Sequence, residues 1–151
     1  LTDEKDFKAF WRIWSIKESV YKVLLRQGQK RFNNFKQIRV TEIRNQDAVA
    51  CFQGRKYYAK STFTEGLVYT TASNFNNLVE VDNYLVIDEG NTGDLCKKII
   101  KERFKQDISF SYFNETFPQL IWNNQKIDIS VSHDNRFFMM SFLRRRIMCG
   151  K

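Results

Sequence analysis

Two short segments combine charged and hydroxyl side chains at spacings that allow phosphate or metal chemistry. The first, residues 14–22, reads WSIKESVYK. On a helix, Glu18 and Lys22 share one face, and Lys17 lies about 100° round from Glu18. Such a pair is usually a solvated ion pair, which stabilises a helix by about a few tenths of a kcal/mol. A carboxylate is also a ligand for Mg²⁺, which fills its remaining positions with water and substrate phosphates.

The second segment, residues 130–135, reads SVSHDN. It follows alternating apolar residues, so it is expected at a strand end, where functional residues often gather. His133 is the only histidine in the chain. It is either a structural or exposed residue, or a donor to a phosphate or another anion. A Ser-His-Asp hydrolase triad is a poor interpretation, because adjacent strand residues point to opposite faces and there is no GxSxG elbow.

Other motifs that carry chemistry are missing from the sequence. It has no P-loop, GxGxxG or HExxH segment. The three cysteines, Cys51, Cys96 and Cys149, form no CxxC pair, which argues against a protein-built zinc site and a disulfide framework. A reducing, cytoplasmic compartment fits this cysteine usage best. A magnesium site built from oxygen ligands remains open.

A long helix is predicted to position the first segment. Residues 5–27 have apolar side chains at spacings of three and four, and Gly28 is a natural stop. The predicted apolar stripe consists of Phe7, Phe10, Trp11, Trp14, Val20 and Leu24, widened by Ile13, Tyr21 and Leu25. Trp11 and Trp14 are expected to anchor the helix in the core, and Ser19 is expected to serve spacing or packing.

Strands separated by one more helix are predicted for the rest of the chain. Alternation and turn residues indicate strands at 37–43, 48–53, 56–63, 67–72, 84–87, 108–113, 127–132 and 137–143, with 120–122 leading into the strand at 127–132. A tight turn is predicted at Gly54-Arg55, and a second helix at 94–104. The fold class is therefore α+β, with antiparallel sheet packed on a long N-terminal helix and a second helix. Residues 1–143 are predicted to form a single domain, and residues 144–151 a basic tail.

The charge balance points to a polyanionic partner. The formal net charge is +8 and the pI is about 9.5. A nucleic acid, an anionic membrane surface, a phosphorylated cofactor and an acidic protein all satisfy this condition. No apolar run approaches the roughly 18 residues of a membrane span, and no signal peptide opens the sequence.

Taken together, the two segments resemble the paired signatures of the 4′-phosphopantetheinyl transferase superfamily. These are a W-S-x-K-E-A/S-x-x-K helix and, later, a strand ending in S-x-S-H-D. Their order resembles the compact holo-acyl-carrier-protein synthase type. The resemblance implies a Mg²⁺-dependent transferase that moves 4′-phosphopantetheine from coenzyme A to a serine of an acyl or peptidyl carrier protein. Carrier proteins are acidic, so the positive charge would steer the encounter.

The resemblance also implies roles for individual residues. Glu18 would be a magnesium ligand, and Glu18 or a metal-bound water would accept the serine proton. Lys22 would contact the pyrophosphate of coenzyme A and act in catalysis, with Lys17 as a further contact to coenzyme A. Ser132 and His133 would hold its nucleotide end.

One departure from the family pattern bears on activity. The family has a G-x-D-like strand near its N-terminus whose aspartate is another magnesium ligand, whereas Leu1 already begins helical sequence. Either an N-terminal segment is missing from the sequence, or the protein lacks that ligand and is weak or inactive. Compact members build their sites between subunits, so a homo-oligomer or a half-built pseudo-dimer is expected.

Two alternatives to an active transferase remain. One is a catalytically inactive homologue that acts as a structural or interaction domain. The other is a basic nucleic-acid-binding module, favoured by the pI, the aromatic content and residues 144–146, which are all arginine. The scattered basic residues and the lack of a stacking motif such as RNP1 argue against nucleic acid.

Overall fold

The computed structural model describes residues 4–64, 66–76, 81–87, 92–104, 109–113, 117–122, 124–134 and 137–143. The chain divides into two compact units, Leu1–Val79 and Glu80–Lys151, and each has its own sheet and core. The predicted single domain over residues 1–143 stays a prediction. The predicted basic tail at 144–151 lies outside the described residues.

The first unit is a long helix followed by an antiparallel meander. Its elements are α1 (Glu4–Arg26), a short 3-10 helix (Phe35–Gln37), β1 (Arg39–Arg44), β2 (Asp47–Phe52), β3 (Arg55–Thr64) and β4 (Leu67–Ser73). The strands pair in sequence order, β1-β2-β3-β4. The predicted long helix and the predicted strands of this unit are confirmed to within a few residues.

Two tight turns set the register of the meander. Asn45 and Gln53 both have positive φ, at 50° and 47°, and Gly54 follows at 78°. Gln53 and Gly54 are therefore two successive residues with positive φ. This conformation is typical of the two-residue hairpin turn whose twist matches that of the flanking strands. The β2–β3 turn is therefore centred on Gln53-Gly54, and the predicted centre at Gly54-Arg55 is wrong by one residue. Arg55 instead opens β3, opposite Phe52.

The core of the first unit lies between α1 and the sheet. Ile16, Val20 and Leu24 form one buried row along α1. The sheet and the segment before it contribute the rest of the cluster: Ile38, Ala48, Ala50, Phe52, Tyr57 and Ala59. The three alanines leave space for the branched side chains of the helix to sit close to the sheet.

The two tryptophans of α1 do not anchor this core. Trp11 and Trp14 are 43% and 44% exposed, so the predicted role is wrong. The spacing of Phe7, Trp11 and Trp14 continues to Glu18, which places all four on the face opposite the buried row. Phe7 and Trp11 contact each other edge to face, with ring centroids 5.9 Å apart. The first half of α1 thus has an exposed aromatic face.

The second unit is a five-stranded antiparallel sheet with one helix. Its elements are β5 (Val81–Ile87), α2 (Thr92–Phe104), β6 (Ser109–Phe113), β7 (Phe117–Trp122), β8 (Gln125–Asp134) and β9 (Phe137–Leu143). The strand order is β5-β9-β8-β7-β6. Residues 120–122, predicted only as a lead-in, belong to a full strand, β7, that pairs with both β6 and β8.

The core of the second unit joins α2 to one face of its sheet. Ile99 and Ile100 of α2 pack with apolar residues of β7, β8 and β9, which are Leu120, Ile127, Ile129, Phe138, Met140 and Phe142. The predicted α+β class, with antiparallel sheet and two helices, is confirmed. Among the residues that the structure describes, neither helix has the length and apolar content needed to cross a bilayer.

Replacing isoleucines on the two faces of α1 tests which face forms the core. Ile16 is fully buried, and Ile13 is 39% exposed. We expect Ile16→Ala to lower the free energy of unfolding by about 2–5 kcal/mol, because it leaves a cavity between helix and sheet. Ile13→Ala is the matched control and should change it by about 0.5 kcal/mol or less. Urea denaturation measures both, and a larger loss for Ile13→Ala would contradict the assignment.

Candidate functional site

Glu18 and Lys22 form an ion pair on the outer face of α1. Lys22 Nζ lies 3.5 Å from Glu18 Oε1, and the side chains of Glu18 and Lys22 are 49% and 37% exposed. The buried row of Ile16, Val20 and Leu24 determines this orientation, because residues two positions from that row lie on the opposite side of a helix. The structure therefore brings together a carboxylate and an ammonium where a ligand can reach them.

Lys17 lies on the flank of α1 rather than beside Glu18. Its Nζ donates a hydrogen bond to the backbone carbonyl of Phe35, at 3.2 Å. The Phe35 ring also packs against α1, with its centroid 5.5 Å from that of Trp14 and 5.1 Å from that of Tyr21. Lys17 thus fastens the 3-10 helix to α1, and its contact to coenzyme A stays a prediction.

A further cation lies towards the N-terminal half of α1. The Arg12 guanidinium is 5.4 Å from the Phe63 ring centroid and donates to the backbone carbonyl of Asp47 at 3.5 Å. Burial lowers the pKa of Arg12, and the Asp47 carboxylate partly offsets this effect. The guanidinium remains charged at neutral pH, because arginine starts from so high a pKa. It adds to the positive potential of the helix without joining the Glu18–Lys22 pair.

Ser132 and His133 lie near the end of β8, in the second unit. In the register with β9, Ser132 is opposite Met139 and His133 is opposite Phe138. β8 ends at Asp134, so the predicted strand-end position is confirmed. Ser132 is half-buried, and the side chain of His133 lies outside the described part of the structure. The two motifs therefore lie on separate units, and the roles of Ser132 and His133 stay predictions.

Glu18 fits an open magnesium site better than a closed one. Within the described ranges, no three His, Cys, Asp or Glu side chains come together as a metal-binding group. Glu18 offers one accessible carboxylate. Mg²⁺ is commonly bound by one or two carboxylates, with waters and substrate phosphates completing its octahedron. The residue present is thus compatible with a metal shared between protein and a phosphorylated substrate.

Ser19 makes a contact that sequence reasoning missed. Its hydroxyl donates to the backbone carbonyl of Thr70 on β4 at 2.7 Å. The Thr70 hydroxyl lies 2.9 Å from that of Ser61 on β3, and both residues are buried. A serine beside the buried row of a helix signals a polar contact to the sheet. The sequence holds no signal that identifies residue 70 as the partner.

Comparison with known proteins identifies the family. A sequence model described as the 4′-phosphopantetheinyl transferase superfamily matches residues 1–78, just over half of the 151-residue chain. The chain belongs to the 4′-phosphopantetheinyl transferase superfamily. The match covers α1 and β1 to β4, including the Glu18–Lys22 pair. It ends before β5, so the S-x-S-H-D segment of this superfamily member rests on its motif alone.

No curated protein and no solved structure matches the chain.

Proposed function

We propose that the protein transfers 4′-phosphopantetheine from coenzyme A to a serine of an acyl or peptidyl carrier protein, with Mg²⁺ as cofactor. The observation that carries this proposal is the accessible Glu18–Lys22 pair, held on a helix that the family match covers. A solvated ion pair alone would be unremarkable on a helix surface. What favours a catalytic role is that the pair lies in the W-S-x-K-E-A/S-x-x-K segment, within the residues that match a transferase superfamily.

Both residues of the pair can stabilise the negative charge of the pyrophosphate, Glu18 through Mg²⁺ and Lys22 directly. Glu18 would hold Mg²⁺, which when bound neutralises negative charge on the pyrophosphate. The Lys22 ammonium would donate a hydrogen bond to a pyrophosphate oxygen. This bond strengthens as negative charge develops on the leaving phosphate. Lys17 has three N–H donors, so it would add a second contact to coenzyme A while one donor stays on the Phe35 carbonyl.

The transfer step forms one bond and breaks one. The carrier serine Oγ attacks the β-phosphate of coenzyme A, and the bond from that phosphorus to the bridging oxygen breaks. Adenosine 3′,5′-bisphosphate leaves with the electron pair of that bond. The serine proton passes to a carboxylate oxygen of Glu18, which is accessible on the outer face of α1. Bond formation, bond cleavage and proton transfer in this step therefore balance with the two substrates and Glu18.

The net charge suits an acidic protein partner. At +8, the chain would attract an acidic carrier protein over a distance set by the ionic strength. We further propose a cytoplasmic location, because three cysteines without a CxxC pair favour a reducing compartment. A homologue that keeps the fold but has lost activity is the other outcome of the tests below.

Binding of coenzyme A tests the site directly. We expect isothermal titration calorimetry to show Mg²⁺-dependent binding that weakens at least about tenfold, or 1.4 kcal/mol, in Glu18→Ala and in Lys22→Met. The reason is that each variant removes a charge-assisted contact to the metal or the pyrophosphate. The melting temperatures of both variants should lie close to that of the wild type, because an exposed i,i+4 ion pair contributes little to the free energy of unfolding.

Glu42→Ala is the matched control for Glu18→Ala. Glu42 on β1 is also about half exposed, and its Oε2 lies 3.5 Å from Arg44 NH2, the same separation as in the Glu18–Lys22 pair. It should bind coenzyme A as the wild type does. Equal binding by Glu18→Ala and Glu42→Ala would exclude Glu18 from the site. No binding by the wild type would leave an inactive homologue.

A truncated ligand tests the proposed roles of Ser132 and His133. We expect Ser132→Ala and His133→Ala to weaken binding of coenzyme A about tenfold to 100-fold, the loss of one hydrogen bond to a charged group. Binding of 4′-phosphopantetheine should be unchanged, because this ligand lacks the nucleotide. Ser109→Ala, an exposed serine on β6 outside both motifs, is the control. Calorimetry with both ligands decides, and equal losses for the two ligands would contradict a nucleotide contact.

A further inference from the structure

Ser19 donates its hydrogen bond to the backbone carbonyl of Thr70, which takes no part in the strand pairing of the described four-stranded sheet. The backbone N–H of Ser61 donates to the carbonyl of Gln46 at 2.8 Å, so the backbone groups of Ser61 face β2. Thr70 lies directly opposite Ser61 in the β3–β4 register. In such a non-hydrogen-bonded antiparallel pair, the carbonyl of Thr70 points away from β3. β4 is the last strand of the described four-stranded sheet, so this carbonyl lies on its edge.

The side chain of Thr70 is hydrogen-bonded to Ser61 on the neighbouring strand β3. Side chains of a non-hydrogen-bonded pair approach closely, and the hydroxyls of Thr70 and Ser61 are 2.9 Å apart and buried. Thr70 is thus fixed to β3 by its side chain, while its carbonyl accepts from Ser19. The Ser19 hydroxyl therefore bonds to a rigid point of the sheet.

Ser19 and Lys17 fasten α1 on opposite flanks. Lys17 donates to the Phe35 carbonyl at 3.2 Å, and Ser19 to the Thr70 carbonyl at 2.7 Å. The two residues lie either side of Glu18 in sequence and about 160° apart around the helix. Apolar packing of the buried row is not directional, whereas a hydrogen bond weakens steeply when its angle is lost. The two bonds therefore resist rotation of α1 on the sheet.

We propose that Ser19 is a positioning residue, which keeps Glu18 and Lys22 facing outward by fastening α1 to the open edge of β4. This inference rests on the proposed function. The Ser19–Thr70 bond opposes rotation of α1. Because Glu18 is adjacent to Ser19, such a rotation would displace the Glu18 carboxylate. A displacement of about 1 Å at a reacting group can cost on the order of 100-fold in rate.

Three variants test the inference through binding of coenzyme A with Mg²⁺. Ser19→Ala should weaken this binding about fivefold to tenfold, because the outward orientation of α1 loses the stabilisation that this bond gives it over rotated orientations. Ser19→Thr keeps the hydroxyl and should bind within about twofold of the wild type. If Ser19→Ala fails to fold, Ser19→Cys replaces it, because a thiol is a much weaker donor of similar shape.

Tyr57→Phe is the control for simple loss of stability. The Tyr57 hydroxyl is 3.1 Å from Gln27 Oε1, just beyond the end of α1, so this variant also removes one part-buried hydrogen bond to the helix region. Both variants should lower Tm by a few degrees, and only Ser19→Ala should weaken binding. Positioning through the Glu18–Lys22 pair further requires that Ser19→Ala change the remaining binding little in a background that carries both Glu18→Ala and Lys22→Met, while its effect on Tm persists.

The outcomes separate the two proposals. Wild-type binding with equal affinities for Ser19→Ala and Tyr57→Phe would overturn the positioning role and leave the proposed function intact. A full effect of Ser19→Ala in the background that lacks both Glu18 and Lys22 would also overturn that role. No binding of coenzyme A by the wild type at any Mg²⁺ concentration would overturn the proposed function and this inference with it.

Discussion

The packing of one side of α1 on the small residues of the sheet controls the rest of the first unit. Ile16, Val20 and Leu24 can sit close to the sheet because Ala48, Ala50 and Ala59 occupy the strands beneath the helix. Once that row is buried, helical geometry places Glu18 and Lys22 on the opposite side. An accessible pair of opposite charges is thus a consequence of which face forms the core, and the polar bonds of Lys17 and Ser19 hold the same orientation.

Local patterns predicted most of the elements. Helical spacing and alternation depend on neighbouring residues alone, so α1, α2 and the principal strands could be assigned from the sequence. The same holds for the Glu18–Lys22 pair, whose geometry follows from a spacing of four on a helix. The α+β class, inferred from the predicted order of helices and strands, is confirmed by the observed elements. The family, inferred from motifs, is confirmed by the match over residues 1–78.

The choice between two apolar faces could not be predicted in this way. The first half of α1 carries apolar side chains all round, and periodicity does not show which of them the sheet covers. Trp11 and Trp14 gave the stronger hydrophobic signal, yet the smaller Ile16 lies at the core. The Ser19–Thr70 bond was hidden for a related reason, because it joins residues 51 positions apart and forms only after the meander folds.

Transfer itself is the most direct test of a Glu18-dependent phosphopantetheinyl transferase. The protein is incubated with coenzyme A, Mg²⁺ and a panel of apo acyl and peptidyl carrier proteins, and intact-mass spectrometry follows each carrier. We expect one or more carriers to gain a 4′-phosphopantetheine group. A carrier with its acceptor serine changed to alanine should gain none, and Glu18→Ala should abolish the gain. Transfer by Glu18→Ala at the wild-type rate would contradict a role for Glu18 in catalysis.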